Sequence, residues 1–344
     1  MIKLPIKSIK YFKQNINKIF SSGNLAESDW NNKLENEIQK ITNIKYSLAT
    51  SSNGTGLLSI LQILKRFYGY ENIFIQENTM YGMYTLSKTS GLKFAGTVNC
   101  QLNTLMPSIK DLKEFYKKKK ITNKSVFLLS HIGGWVNPDI IQISKFCKSK
   151  GIALIEDCAH SLGSTFKGQH SGSFGMAGVY SFYATKAIPA GEGGLIVTKD
   201  KKLFHLSKKY SVYDRFEQNI DLGVNNRMSE INALLCYSVL KELENIIQNK
   251  FKIADKYIAV CKNKKIKFID PYLKYQRPNL YKFIILKTND KQFQNFRNKT
   301  SGVYDYKLGK DFKDISKKHL CLPIWYKLEF KTINKVINEL KNAC

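Results

Sequence analysis

GIALIEDCAHSLGSTFKGQHSGSFGMAGVYSFYATKAIPAGEGGLIVTKD, residues 151–200, decides how the rest of the chain is read. Its apolar run 152–155 ends in the acidic pair Glu156 and Asp157. A short apolar run closed by a polar loop is the pattern of a buried strand. Open α/β sheets gather ligand groups at the carboxyl ends of their strands, and Asp157 is expected there. A second strand, expected over 178–183, delivers Ser181 and then Lys186. The turn Gly191, Glu192, Gly193, Gly194 leads into a third over 195–198. A carboxylate, a hydroxyl and a lysine thus converge from neighbouring strand ends.

That set suits pyridoxal phosphate. The lysine forms a Schiff base with the aldehyde, the aspartate keeps the pyridine nitrogen protonated, and the hydroxyl binds the phosphate. The stretch resembles the DegT/DnrJ/EryC1/StrS sugar aminotransferases. The matching blocks are IEDCAHSLGSTFKG (155–168), GVYSFYATK (178–186), GEGG (191–194) and GVNNRMSEINALL (223–235). Their order and separations fit the family pattern, a combination far more specific than any one block. The resemblance is strong over 46–240 and weaker beyond. It implies an α/β protein with the type I PLP-dependent transferase fold: a mostly parallel central sheet and a smaller C-terminal α/β domain. The large cofactor-binding domain, with an N-terminal helical segment, is expected over 1–244 and the small domain over 245–344.

Each site residue carries a role implied by the resemblance beside a plainer alternative. Lys186 is the Schiff-base lysine, against one more surface lysine in a lysine-rich chain. Asp157 holds the pyridine nitrogen, against a turn cap, with Glu156 as the alternative acid. His160 matches a position near the cofactor's phenolic oxygen, against a surface loop histidine. Ser181 matches the phosphate ligand of an S-x4-K spacing, against a strand residue facing nothing. Asn225 matches the asparagine that reaches the cofactor phosphate of the partner subunit, against a helix N-terminal cap.

Working outward, a strand over 46–49 is followed by SSNGTG (51–56) and an apolar-periodic helix carrying Leu57, Leu58, Ile60, Leu61 and Leu64. Small residues at a helix start leave N–H groups open to phosphate, and the helix dipole favours the anion. Gly54 and Thr55 match the family's phosphate-binding turn; the alternative is a simple capped helix. Residues 72–96 read as strand, helix, strand. There the family sets an aromatic ring on the cofactor face after the position of Thr79, whereas this chain has Met80 and then Tyr81. A thioether covers a ring face adaptably, Tyr81 substitutes after a small shift, or both residues are core. A basic helix ending in KKKK (117–120) reads as a solvated face. A strand over 126–129 leads to His131 and Trp135, which are candidates for lining the pocket, and 139–150 reads as a crossover helix. Towards the N-terminus, 11–20 and the stripe Trp30, Leu34, Ile38, Ile41 read as helices. Past 240, a helix is expected over 250–260, a strand over 281–286, a helix over 293–298 and a strand over 319–323. The family's histidine-containing substrate motif is not evident around 301–304.

Composition sets the outer bounds. The 344 residues are 43% hydrophobic, ordinary for a globular chain. No apolar run approaches the roughly 18 residues that suggest a spanning helix, and the basic N-terminus lacks a signal peptide's apolar core. Seven scattered cysteines, from Cys100 to Cys344, show no CxxC and no metal-ligand cluster, which reads as free thiols in a cytoplasmic protein. Lys and Arg total 55 against 27 Asp and Glu, a net charge of +28. The charge is spread through the chain without a zinc-finger or RNA-recognition signature, so a lysine-rich bias is favoured over nucleic-acid binding.

The resemblance implies transfer of an amino group, with L-glutamate as the expected donor, to a keto sugar carried on a nucleotide diphosphate. A homodimer with composite active sites is expected, with no membrane insertion and no metal. The competing readings are a PLP-dependent dehydratase on the same scaffold, a cofactor-binding regulatory protein, and a basic nucleic-acid binder.

Overall fold

The structure, a computed structural model, describes residues 3–288, 293–304 and 315–342; Cys344 lies outside them. Two N-terminal helices, α1 (Ile6–Ser22) and α2 (Asp29–Thr42), precede β1 (Tyr46–Thr50) and α3 (Asn53–Tyr68). Then follow β2 (Asn72–Gln76), α4 (Tyr81–Thr89), β3 (Lys93–Val98), α5 (Ile109–Lys118), β4 (Ser125–Ser130), α6 (Ile140–Ser149) and β5 (Ala153–Asp157). The hairpin β6 (Thr165–Phe166) and β7 (Gln169–His170) leads to β8 (Ala177–Ser181), β9 (Gly194–Thr198) and α7 (Lys201–Tyr210). The remainder is α8 (Glu230–Leu240), α9 (Leu243–Asn263), β10 (Lys267–Phe268), β11 (Gln276–Arg277), β12 (Phe283–Leu286), β13 (His319–Leu322) and α10 (Phe330–Asn342).

Local chemistry sets the boundaries. The Ser52 side chain accepts from Thr55 N while Thr55 caps back, a capping box that starts α3. Gly69, with φ of 74°, ends it in the left-handed region. The apolar runs 126–129 of β4 and 153–155 of β5 are explained by position: both strands are buried along their length, as parallel strands covered on two faces must be.

The central sheet runs β1-β9-β8-β5-β4-β2-β3. The pairs β8-β5, β5-β4, β4-β2 and β2-β3 are parallel, and only β9 runs against the rest. The carboxyl ends of β1, β2, β4, β5 and β8 therefore share one edge, the expected location for a site. One apolar layer packs α3 against β1, β5, β8 and β9 through Leu57, Ile60, Leu61 and Leu64. The opposite layer sets α5 and α6 on Phe74, Phe127 and Leu129.

Helices α1, α2 and α8 form a third cluster around Trp30, Leu34, Ile38 and Leu234. Glu230 pins it, accepting from Ser28, Trp30 and Asn31 N–H groups. The antiparallel sheet β10-β12-β13 shares a fourth core with α10, the second half of α9, and Met106, Ile132 and Trp135 from the first half of the chain. Trp135 thus belongs to this core.

One expectation is corrected, and one of the alternatives for Met80 and Tyr81 is excluded. Residues 293–298 form a turn, not a helix; Phe293 and Phe296 both dip into the fourth core from it. Met80 and Tyr81 are not core: they begin α4 and are 40% and 50% exposed. The run 117–120 is exposed as expected, and the six described cysteines are all buried and free. Among the described residues no helix is long and apolar enough to cross a membrane.

Candidate active site

Asp157 closes β5, and its register explains its surroundings. Ser130 at the end of β4 lies level with Asp157, and Val179 of β8 lies level on the other side. The Ser130 hydroxyl donates to Asp157 Oδ2 at 3.0 Å and packs against the Thr79 hydroxyl at 2.7 Å. Ala159 N donates to Oδ1 at 3.1 Å. Asn53, the first residue of α3, donates from Nδ2 to the same Oδ1 at 3.2 Å and to Val179 O at 2.9 Å. Asp157 is 3% exposed, so this carboxylate is buried and oriented by three donors from three elements.

Glu156 points to the other face of the sheet. It accepts from Gly172, Phe174 and Gly175 N–H groups and from His131 Nε2. His131 Nδ1 accepts from Asn137 N, so its Nε2 carries the proton. His131, Glu156 and Cys158 have ligand atoms near one another. The donors already on Glu156 account for that cluster without a metal, and His131 is kept from the Asp157 side.

Ser181 ends β8, 7% exposed, and accepts from Tyr183 N at 3.3 Å. Gly194 stands between it and Thr50 in the sheet. A Cβ on Gly194 would lie 2.3 Å from the Ser52 carbonyl carbon, so only glycine lets β9 pass under the turn that opens α3. In that turn a Cβ on Gly54 would meet Ser52 Oγ at an ordinary contact of 3.8 Å, and the Thr55 hydroxyl lies 3.0 Å from those of Ser51 and Ser52. Intrahelical bonding leaves the first-turn N–H groups of a helix over; Thr55 N is taken by Ser52, while those of Asn53 and Gly54 stay outside the ladder.

Lys186 sits in the loop after β8. Backbone bonds from Phe182 to Gly193, Ala184 to Gly191 and Lys186 to Tyr183 hold that loop. The Lys186 Nζ lies 4.9 Å from the centre of the Tyr281 ring. Burial lowers its amine to about 8, against the opposing pull of the Asp157 charge. His160 is stacked between Tyr281, 4.1 Å away, and Tyr304. Its Nδ1 accepts from Gly133 N, which leaves Nε2–H for the Tyr304 hydroxyl at 2.8 Å. Burial, then the charges of Lys186 and Lys282, push the His160 pKa well below its usual value, so the ring is neutral.

Asn225 stands apart. It is exposed, bridged to Val212, with Oδ1 accepting from Arg227 Nε. It does not cap α8: Ser229 does, accepting from Asn232 N. Its neighbour Asn226 is the buried one, with Oδ1 taking Ser51 Oγ at 3.0 Å and Nδ2 without a partner. Asn53, Ser130, Asn226, Tyr281 and Tyr304 were not singled out from sequence. Asn226 lay inside a matched block and Asn53 in the loop 51–56, but Tyr281 and Tyr304 carried no local signal.

A family model described as the DegT/DnrJ/EryC1/StrS aminotransferase family matches residues 7–341. GDP-perosamine synthase of Escherichia coli O157:H7 is 29% identical over 250 residues, 70% of this chain and 64% of that protein. The chain therefore aligns with a little under two thirds of that relative's length. UDP-4-amino-4,6-dideoxy-N-acetyl-beta-L-altrosamine transaminase of Helicobacter pylori is 24% identical over 264 residues, 73% of this chain and 67% of that protein. Among solved structures, the PLP-form of Spr1654 from Streptococcus pneumoniae superposes with a TM-score of 0.83 at 18% identity, covering 99% of this chain and 97% of that one. At that identity the likeness speaks to fold alone. The family match spans nearly the whole described fold and includes every block around Asp157, Ser181 and Lys186: the chain belongs to the DegT/DnrJ/EryC1/StrS aminotransferase family.

Proposed function

We propose that this chain is a pyridoxal-phosphate-dependent aminotransferase that moves an amino group from L-glutamate to a keto sugar carried on a nucleotide diphosphate. One observation carries the reading: Lys186, in the loop after β8, is buried near the charge of Asp157 at the adjoining end of β5, and burial lowers its amine to about 8 against the opposing pull of that charge. The names of the two curated relatives favour a nucleotide-sugar substrate. Residues 1–244 would form the cofactor domain and 245–344 the smaller one.

The residues fit the cofactor. The open start of α3, the Ser181 hydroxyl and the unpartnered Asn226 Nδ2 offer donors to a phosphate. Gly54, Thr55 and Ser181 would hold that group, Asp157 the ring nitrogen, and Lys186 the aldehyde carbon. Bound pyridoxal phosphate supplies an aldehyde that takes up amines and a ring that accepts an electron pair. Lys186 Nζ, with its pKa near 8, exchanges a proton readily close to neutral pH; it would take the proton from the donor's α-carbon and later return one to the product carbon. His160, neutral and fixed by Gly133 and Tyr304, would meet the phenolic oxygen without adding charge. A dehydratase on this scaffold is disfavoured by the presence of Lys186. Six buried free thiols fit a reducing, cytoplasmic setting.

The test is mass spectrometry of products from a panel of GDP-, UDP- and dTDP-linked keto sugars incubated with the protein, pyridoxal phosphate and glutamate. The expected result is an amino sugar and 2-oxoglutarate in equal amounts. No amino sugar from any member, together with a cofactor spectrum that glutamate leaves unchanged, would sink the proposal.

The same proposal includes a homodimer whose sites are composite, with Asn225 reaching the phosphate held by the other subunit. A two-fold interface gives and receives the same contact. Of the apolar residues of helix α8, Leu234, Val239 and Leu240 are in the core, while Ile231 is 36% exposed. Mixed Lys186→Ala and Asn225→Ala subunits should regain activity above either parent, because one site of each heterodimer then has both native residues. No recovery despite verified exchange, with an inactive Asn225→Ala parent, counts against the shared site.

A further inference from the structure

A cavity of about 470 Å³ has Lys186, but not Asp157, in its lining. Its walls are the loop 184–189, Ile246 and Lys250 of α9, Tyr281 and Lys282 before β12, and the segment 322–326. Much of that wall is apolar, through Ile246, Leu322, Ile324 and Trp325. Its described lining has no carboxylate, yet Lys3, Lys186, Lys250 and Lys282 all border it; Lys3 is paired at 3.1 Å with Glu329, which lies outside the lining.

Lys250 is the unexplained member. It is 5% exposed, and its Nζ has one recorded acceptor, Asn279 O at 3.4 Å. An ammonium has three donors, so most of its hydrogen-bonding capacity is unused. A buried cation so poorly matched is costly unless an anion joins it. Burial alone lowers its pKa to about 8. Lys282 stands at the mouth, donating to the Thr300 hydroxyl and to Ser301. The Thr185 hydroxyl lies against the Tyr281 hydroxyl at 3.3 Å on the Lys186 side.

We propose that this cavity is a carboxylate site in which Lys250 and Lys282 receive a carboxylate of the amino-acid donor. The argument is one of complementarity. An apolar wall strengthens an ion pair set against it, Lys250 and Lys282 border the space without a competing acid in the described lining, and Lys186 lines it too. The inference rests on the aminotransferase reading for the identity of the anion, but not for its charge.

The experiment uses the full chain loaded with pyridoxal phosphate and titrates it calorimetrically with glutarate, a dicarboxylate that has no amine to react. Wild-type protein should bind it. Lys250→Met should weaken binding about tenfold or more, the scale of one charge-assisted hydrogen bond, while Lys250→Arg retains most of it. In steady state Lys250→Met should raise KM for glutamate far more than it lowers kcat, a split that a purely structural lysine would not produce. Should Lys250→Met fail to fold, Lys250→Arg and Lys282→Met carry the test, the latter with a similar loss. Glutarate binding that is absent, or equal in wild type, Lys250→Met and Lys282→Met, overturns the site. Lysine-dependent glutarate binding without any transamination would instead overturn the aminotransferase reading and leave a carboxylate site standing.

Discussion

Lys186→Ala protein treated with pyridoxal phosphate and borohydride will carry no covalent adduct, and multiple turnover will fall ~10³-fold or more, the scale of removing both a nucleophile and a positioned proton carrier. The fold should survive. The Lys186 side chain lies over Tyr281, while the loop itself is held by backbone bonds that alanine keeps. Removing a buried amine that had to be desolvated should change stability by no more than ~1 kcal/mol. The wild type adds a pH arm. Only the unprotonated amine attacks an aldehyde, and burial lowers this amine from 10.5 to about 8. Adduct formation should therefore rise with pH through about 8 and flatten well below 10.5. An unchanged adduct in Lys186→Ala, or an onset near the ordinary lysine value, would remove the assignment.

Asp157→Asn should reduce transamination ~10²- to 10³-fold and weaken cofactor retention, as expected when a buried charge aimed at the reacting system is lost. Asparagine keeps the shape, but it puts an amide among the donors of Asn53, Ser130 and Ala159 and loses the charge that would keep the ring nitrogen protonated. The adjoining acid should behave in the opposite way. Glu156→Gln disturbs a carboxylate whose two oxygens accept from three backbone N–H groups and His131. It should cost roughly 3 kcal/mol of stability in a denaturant melt, while the folded fraction retains its turnover. Near-normal turnover in Asp157→Asn with a collapse in Glu156→Gln would reverse the two roles.

These paired substitutions turn on strand alternation. Neighbouring residues of a strand point to opposite faces, so the doublet Glu156 and Asp157 divides into one acid bound within the protein frame and one available to the site. The doublet alone left either acid eligible. The register of β4, β5 and β8, which sets Ser130 and Val179 level with Asp157, separates them. Asn225 and Asn226 also differ in exposure: the buried amide serves the turn at Ser51, and the exposed one accepts from Arg227 Nε.

What the sequence by itself determined is the order of elements through the large sheet and the blocks around Asp157, Ser181 and Lys186. Those signals are local: apolar runs closed by polar loops, a capping serine before small residues, and glycines where β9 must pass close to Ser52. Short-range sterics and hydrogen bonding write such features into neighbouring residues. What only the tertiary structure decided came from residues far apart in the chain. Tyr281 and Tyr304 stack on His160 from the C-terminal half, Asn53 reaches Asp157 across 104 positions, and Lys250 meets Lys186 and Lys282 around one cavity. The turn at 293–298 belongs to this class as well, because Phe293 and Phe296 take their places from a core assembled by α9, α10 and β12 rather than from their own spacing. Burial and the convergence of distant charges depend on packing between elements, which no local pattern records.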